Sequence, residues 1–126
     1  MAKHVPHGPG LESGPYPFSQ VVEANGFVFL AGQVGDAPGS HGAVPGGIEA
    51  ETRQMLQNVG RLLDAVGLTY GDVVKCTVYL RDFGDFAAMN TVYREFFLID
   101  PPTRATVGVT ALASDYAVEI EVMAAR

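Results

Sequence analysis

The residues of this sequence that could do chemistry gather in its second half. Lys75 lies in the apolar run Val73–Leu80, Arg104 and Thr106 follow Pro101-Pro102, and Glu119 and Glu121 lie in the closing run Ala117–Ala124. Runs of this length, rich in β-branched residues, read as strands, and successive side chains of a strand point to opposite sides. Alternation gives each run one wholly apolar face: Val74, Cys76, Val78 and Leu80; then Ala105, Val107 and Val109; then Val118, Ile120, Val122 and Ala124. With those faces buried, Lys75, Arg104, Thr106, Glu119 and Glu121 share the other side of the sheet. Two cations and two carboxylates on one face can hold a small anion and move protons. The plainer reading is a self-neutralising cluster, with Arg104 paired to Glu119 or Glu121.

The other candidates are weak. His4, His7 and His41 lie in Gly/Pro-rich segments without acidic or cysteine partners at ligand spacing, so no metal site is expected. Cys76 is the one cysteine, which excludes an internal disulfide; it falls on an apolar strand face and reads as an inert core thiol. Residues 32–47 hold six glycines and two prolines but do not end in Gly-Lys-Ser/Thr, so they carry no phosphate-loop signature. The formal charge is −6 and the pI about 4.8, which makes nucleic acid an unlikely partner. There is no apolar run of signal-peptide type and none long enough to span a bilayer. The expected location is cytoplasmic, which the cysteine usage also fits.

The elements that must position these residues follow from periodicity. The 126 residues form a single domain, 1–126, with 1–15 as a loosely ordered, Gly/Pro-rich arm. A strand near Gln20–Glu23 meets the hairpin signal Asn25-Gly26, and Phe27–Ala31 returns as a second strand. A long loop with a short strand at Ala43-Val44 leads to a helix. Its apolar stripe runs Ile48, Thr52, Met55, Leu56, Val59, Leu62, Leu63, Val66, and Gly67 suits the left-handed position past its end. After Val73–Leu80, Asp85 is placed to cap a second helix whose stripe is Phe86, Met89, Tyr93, Phe96 and Phe97. The result is an α+β fold: a mixed sheet of about six strands with two helices on one face. Phe27–Ala31 is apolar on both sides, yet two helices cover only one. The uncovered face calls for self-association into a closed homo-oligomer, or for the N-terminal arm to fold across it.

Several segments resemble the RidA/YjgF family. They are Asn25-Gly26 leading into Leu30-Ala31-Gly32-Gln33, Asp64-Ala65-Val66-Gly67-Leu68, and Gly71-Asp72-Val73-Val74-Lys75. Next come Asp85-Phe86-Ala87-Ala88-Met89-Asn90 with Tyr93 and Phe96-Phe97, then Pro102-Thr103-Arg104, and finally Val118-Glu119-Ile120-Glu121. No one motif is specific; the ordered set covers the chain from about residue 14. The resemblance implies a chorismate-mutase-like fold and a homotrimer with clefts between subunits. It implies cofactor-free hydrolysis of reactive enamines and imines of the 2-aminoacrylate/2-iminopropanoate type, to a 2-oxo acid and ammonia. Some members are described instead as translation inhibitors with endoribonuclease activity, and others bind small ligands without an assigned reaction.

Carried over by position, Arg104 matches the arginine that clamps the substrate carboxylate, a task suited to a bidentate guanidinium fork. Glu119 matches the glutamate near the reacting carbon, where it can orient water and accept its proton; Glu121 reads as structural. Asn90 occupies the position of an asparagine that helps fix the pocket, and Thr106 stands where many members have cysteine, beside ligand-facing main chain. Two departures stand out. Members with hydrolase activity carry a tyrosine in the pocket before the first strand; aligned without a gap, Phe18 takes that place, whereas aligning on Tyr16 requires an insertion. Ala31, before Gly32, replaces a common serine or threonine. Both changes remove hydroxyls. The implied partner is a small carboxylate-bearing metabolite, with no cofactor. The readings are an imine deaminase, a non-catalytic small-carboxylate binder and, disfavoured by charge, an endoribonuclease.

Overall fold

A computed structural model describes residues 3–126. Its strands are β1 (Val21–Ala24), β2 (Phe27–Val34), β3 (Val73–Leu80), β4 (Thr103–Gly108) and β5 (Val118–Ala125); its helices are α1 (Gly47–Ala65) and α2 (Phe86–Phe96). One open sheet has the order β1-β2-β5-β3-β4, antiparallel except for the parallel pair β3–β4. Both helices pack on one face of it. Ala43-Val44 does not form a sixth strand: its tie to the sheet side is the Val44 amide donating to the Gly35 carbonyl at 2.9 Å.

The β1–β2 hairpin turns where expected, with Asn25 and Gly26 both at positive φ (53° and 80°), as a two-residue turn between twisted strands requires. Helix α1 buries Met55, Leu56, Val59, Leu62 and Leu63. Past its end Gly67 adopts φ 78°. The Gly67 amide donates to the Asp64 carbonyl, and the Leu68 amide to that of Leu63. That paired closure consumes carbonyls the helix end would otherwise orphan. Helix α2 starts after Asp85, but the Asp85 side chain caps nothing. The capping is done by Asp82, whose carboxylate accepts from the Gly84 amide at the preceding 3₁₀ turn, Phe83–Asp85.

Two polar residues lie inside the buried stripe of α1 and tie it to the strands that matter most. Glu51 Oε2 accepts from the Ala117 amide at 2.6 Å and the Val118 amide at 3.2 Å, clasping the start of β5. Asn58 Nδ2 donates to the carbonyls of Val34 at 2.7 Å and Asp36 at 2.9 Å, fixing the exit of β2. Unpaired, such groups would cost stability in a buried site; paired, they set where the chain enters and leaves the sheet.

Two strand faces differ from the expectation of simple alternation. In β3 the pairing slips between Val73 and Lys75, where β5 supplies the adjacent residues Ala124 and Met123. The extra residue turns Val73 into the core, 5% exposed, and leaves Val74 outside at 38%. In β4 the whole assignment is reversed. Arg104 pairs with Cys76 and Thr106 with Val78, and both β3 partners are fully buried beneath the helices. Paired residues share a face, so Arg104 and Thr106 lie on the helix side, while Ala105 and Val107 look out from the other. The physical reason is that β4 is an edge strand, and its apolar side chains belong to the face the helices do not cover.

That face stays uncovered in the chain itself. Phe27 and Phe29 are each 43% exposed and Val107 39%. The N-terminal arm does not cross it: His4 bridges Glu23 on the outer edge of β1, and Leu11 packs against the helix-side core.

Candidate functional site

Arg104 is positioned by β4 and by the buried face of α2. Its guanidinium carbon stands 4.6 Å from the centre of the Tyr93 ring and 5.6 Å from that of Phe86. Stacking on aromatic faces restricts the side chain and holds the planar fork at the mouth of the hollow. The expected alternative of an ion pair with Glu119 or Glu121 is not formed. Among the described residues the salt bridges are Arg53–Glu95 and Arg126–Glu23. Arg104 lines a hollow with Asn90, Tyr93, Arg94, Phe97 and Pro101, so structure brings Asn90 and Arg104 together.

The floor beneath Arg104 holds unspent polarity. Tyr93 is 7% exposed, and its hydroxyl has no hydrogen-bond partner; neither has the buried Thr106 Oγ1. Burial pushes the Tyr93 hydroxyl well above its ordinary pKa, with the neighbouring Cys76 thiol adding to the shift against Arg104. Burial also raises the Cys76 thiol, which keeps it protonated and unreactive at neutral pH.

Glu119 lies elsewhere, on the uncovered face of β5. It borders a hollow with Phe18, Ser19, Val22, Phe29, Ala31 and Gly32. Beside it the β2–β5 ladder is irregular: Leu30 pairs with Val122 and Gln33 with Ile120, so Ala31 and Gly32 together stand opposite the single residue Glu121. Such a bulge re-aims side chains locally. Gly32 lets the Glu119 carboxylate lie against main chain, since a Cβ there would push that carboxylate aside. Burial, and then the charge of Glu121, raise the Glu119 carboxyl above the ordinary value of 4.5. Glu121 itself accepts from the Tyr79 hydroxyl at 2.6 Å.

Phe18 lines this hollow, whereas Tyr16 does not. Tyr16 stacks against the outer side of Phe18, with ring centres 6.3 Å apart and planes within 15°. The two halves of the expected constellation are therefore real hollows, but on opposite faces of one sheet. Arg104 and Asn90 line one, with Thr106 buried on the same side of the sheet; Glu119, Gly32, Ala31 and Phe18 line the other. Glu51 and Asn58 of α1, which hold β5 and β2 beside the second hollow, escaped the sequence reading. A signal existed: both fall at three- and four-residue spacing within the apolar stripe, at Glu51, Met55, Asn58 and Leu62. Among the described residues, no group of three or more His, Cys, Asp or Glu is arranged to hold a metal ion.

These features define a class: a small open-sheet α+β protein with an arginine hollow at one sheet edge and a glutamate hollow on the uncovered face. The family model described as endoribonuclease L-PSP matches residues 13–126, and the chain belongs to that family, the group to which the RidA/YjgF resemblance pointed. It is 44% identical over 108 residues to a RutC family protein of Pyrococcus horikoshii, covering 86% of each chain. It is 42% identical over 110 residues to the 2-iminobutanoate/2-iminopropanoate deaminase of Capra hircus, covering 87% of this chain and 80% of that one. Among solved structures, E. coli TdcF with bound serine superposes with a TM-score of 0.87 at 34% identity, over 98% of both chains.

Proposed function

We propose that this chain hydrolyses 2-imino acids, and the enamines that tautomerise to them, to 2-oxo acids and ammonia in clefts between subunits of a homotrimer. The observation that carries the proposal is the placement of Arg104 and Glu119 on opposite faces of one sheet, with exposed apolar side chains around the second. A substrate spanning both groups needs the Arg104 edge of one copy against the Glu119 hollow of the next. Support comes also from the named activity of the Capra hircus relative and from the serine bound by TdcF.

In that cleft the ring-stacked guanidinium of Arg104 takes the substrate carboxylate through two parallel hydrogen bonds. Asn90, which lines the same hollow, supplies a further polar contact to the bound end, and the role of position 106 falls to its main chain. Glu119 orients a water against the C=N carbon and accepts its proton as the C–O bond forms. The resulting carbinolamine then breaks its C–N bond. By then Glu119 has returned the first proton to the nitrogen; it next takes the carbinolamine hydroxyl proton and passes that to the nitrogen as well, so that nitrogen leaves as ammonia and the carbon keeps its oxygen as the carbonyl of the 2-oxo acid. A carboxyl with a raised pKa suits both halves of this transfer.

Subunit complementation tests the assignment. Arg104→Ala and Glu119→Gln are each expected to abolish accelerated 2-oxo acid release from imines made by a pyridoxal-phosphate dehydratase. Co-expressed, the two variants should regain activity, because roughly a quarter of interfaces in randomly mixed rings pair an intact Arg104 with an intact Glu119. Mixed oligomers without activity would place the site within one chain and overturn the proposal. Wild-type protein that binds 2-oxo acids but accelerates no imine would leave the binding-protein reading instead. An RNA-cleaving role has little support, with 8 Lys and Arg against 14 Asp and Glu.

A further inference from the structure

The Glu119 hollow carries an apolar wall that imine hydrolysis by itself does not require. Phe18, 50% exposed, and Phe29, 43% exposed, border it together with Val22 and Ala31, and the polar side chains there are Ser19 and Glu119. Exposed aromatic surface beside a carboxylate is unfavourable in water and is relieved when a ligand covers it. Tyr16 adds a second, nearly parallel aromatic ring beside Phe18, with centres 6.3 Å apart.

We infer that the preferred substrates are 2-imino acids with a branched aliphatic side chain of leucine type, rather than the small or hydroxylated ones derived from alanine or serine. The inference rests on the imine-deaminase reading above and deepens it. With the carboxylate held by Arg104 and the C=N carbon facing Glu119, the substrate's side chain is directed along the Phe18–Val22–Phe29 wall. Ala31 adds a methyl group and no side-chain donor to the same hollow, which leaves a substrate hydroxyl without a side-chain partner at that position. Uncompensated burial of a hydroxyl is penalised, whereas each added methylene on an apolar wall is rewarded.

The test generates imines from alanine, serine and leucine with an L-amino-acid oxidase and follows 2-oxo acid release with and without the protein. The wild-type kcat/KM for the leucine-derived imine should exceed that for the alanine-derived one by roughly tenfold or more. Phe18→Ala should shrink that ratio, and Phe18→Tyr should preserve most of it. Calorimetric titration with the 2-oxo acids of leucine and alanine gives a second readout independent of turnover, with the leucine product binding roughly tenfold tighter. Equal or inverted preference in both assays, unchanged by Phe18→Ala, overturns the inference and leaves the deaminase reading intact. Tighter binding of the leucine product without acceleration of any imine supports the side-chain wall and overturns the deaminase reading. No binding and no turnover sinks both.

Discussion

At the scale of single residues, the arrangement around Arg104 and Glu119 explains why conservative exchanges should not be silent. Lysine at position 104 would keep the charge but lose the planar fork and the stack on Tyr93. Arg104→Lys is therefore expected to raise KM roughly tenfold or more, one charge-assisted hydrogen bond being worth about 1.5–3 kcal/mol. Initial-rate kinetics on one imine checks it. Glu119 must be ionised to accept a proton from water, and its carboxyl is raised by burial and by Glu121. Activity should thus fall as the pH drops through a value above the ordinary glutamate range. Glu121→Gln removes the like charge, lowers the Glu119 pKa and moves the acid limb of the kcat/KM profile to lower pH. A limb that stays put in the Glu121 variant would show that another group governs it.

At the scale of elements, α1 does more than cover the sheet. Its Glu51 carboxylate holds the two amides that open β5, one and two residues before Glu119. Burial raises the Glu51 carboxyl even as both amides oppose the shift, so the clasp is local and desolvated. Glu51→Ala leaves two amide donors unmet, at a cost of about 1–3 kcal/mol. Thermal unfolding should fall by several degrees, and kcat should drop further than folding loss explains because the start of β5 is released. Glu51→Gln keeps one acceptor and should recover part of both. The neighbouring bulge at Ala31-Gly32 shows the same division of labour: the Glu119 carboxylate lies against main chain at Gly32, where a side chain would displace it.

At the scale of the whole molecule, the uncovered sheet face is the feature that most needs a partner. Phe27, Phe29, Val74 and Val107 are all exposed there, and the arm that could have covered them runs along the outer edge of β1 instead. In the proposed trimer these side chains leave water, and the cleft is completed in the same step. Phe27→Glu should therefore convert the assembly to monomers, read by light scattering behind size-exclusion chromatography, and remove activity although Phe27 borders neither hollow. A monomeric wild-type protein with full activity would separate the site from assembly.

What the sequence determined by itself was everything governed by local periodicity. The α1 stripe, its closure at Gly67, the Asn25-Gly26 hairpin and the bounds of β3 follow from spacing and backbone preference alone, and the family from the ordered motifs. Only tertiary structure decided which way β4 and the start of β3 face. Alternation fixes which side chains share a face within a strand but carries no information on how neighbouring strands register. One inserted residue at Val74 was enough to reverse the start of β3. The parallel pairing of Cys76 with Arg104 and Val78 with Thr106 carried those β4 residues to the helix side. The residues expected to form one charged face thus became two hollows on opposite sides of the sheet. Register is set by long-range pairing and by the burial each strand needs from its neighbours, and no short window of sequence contains either.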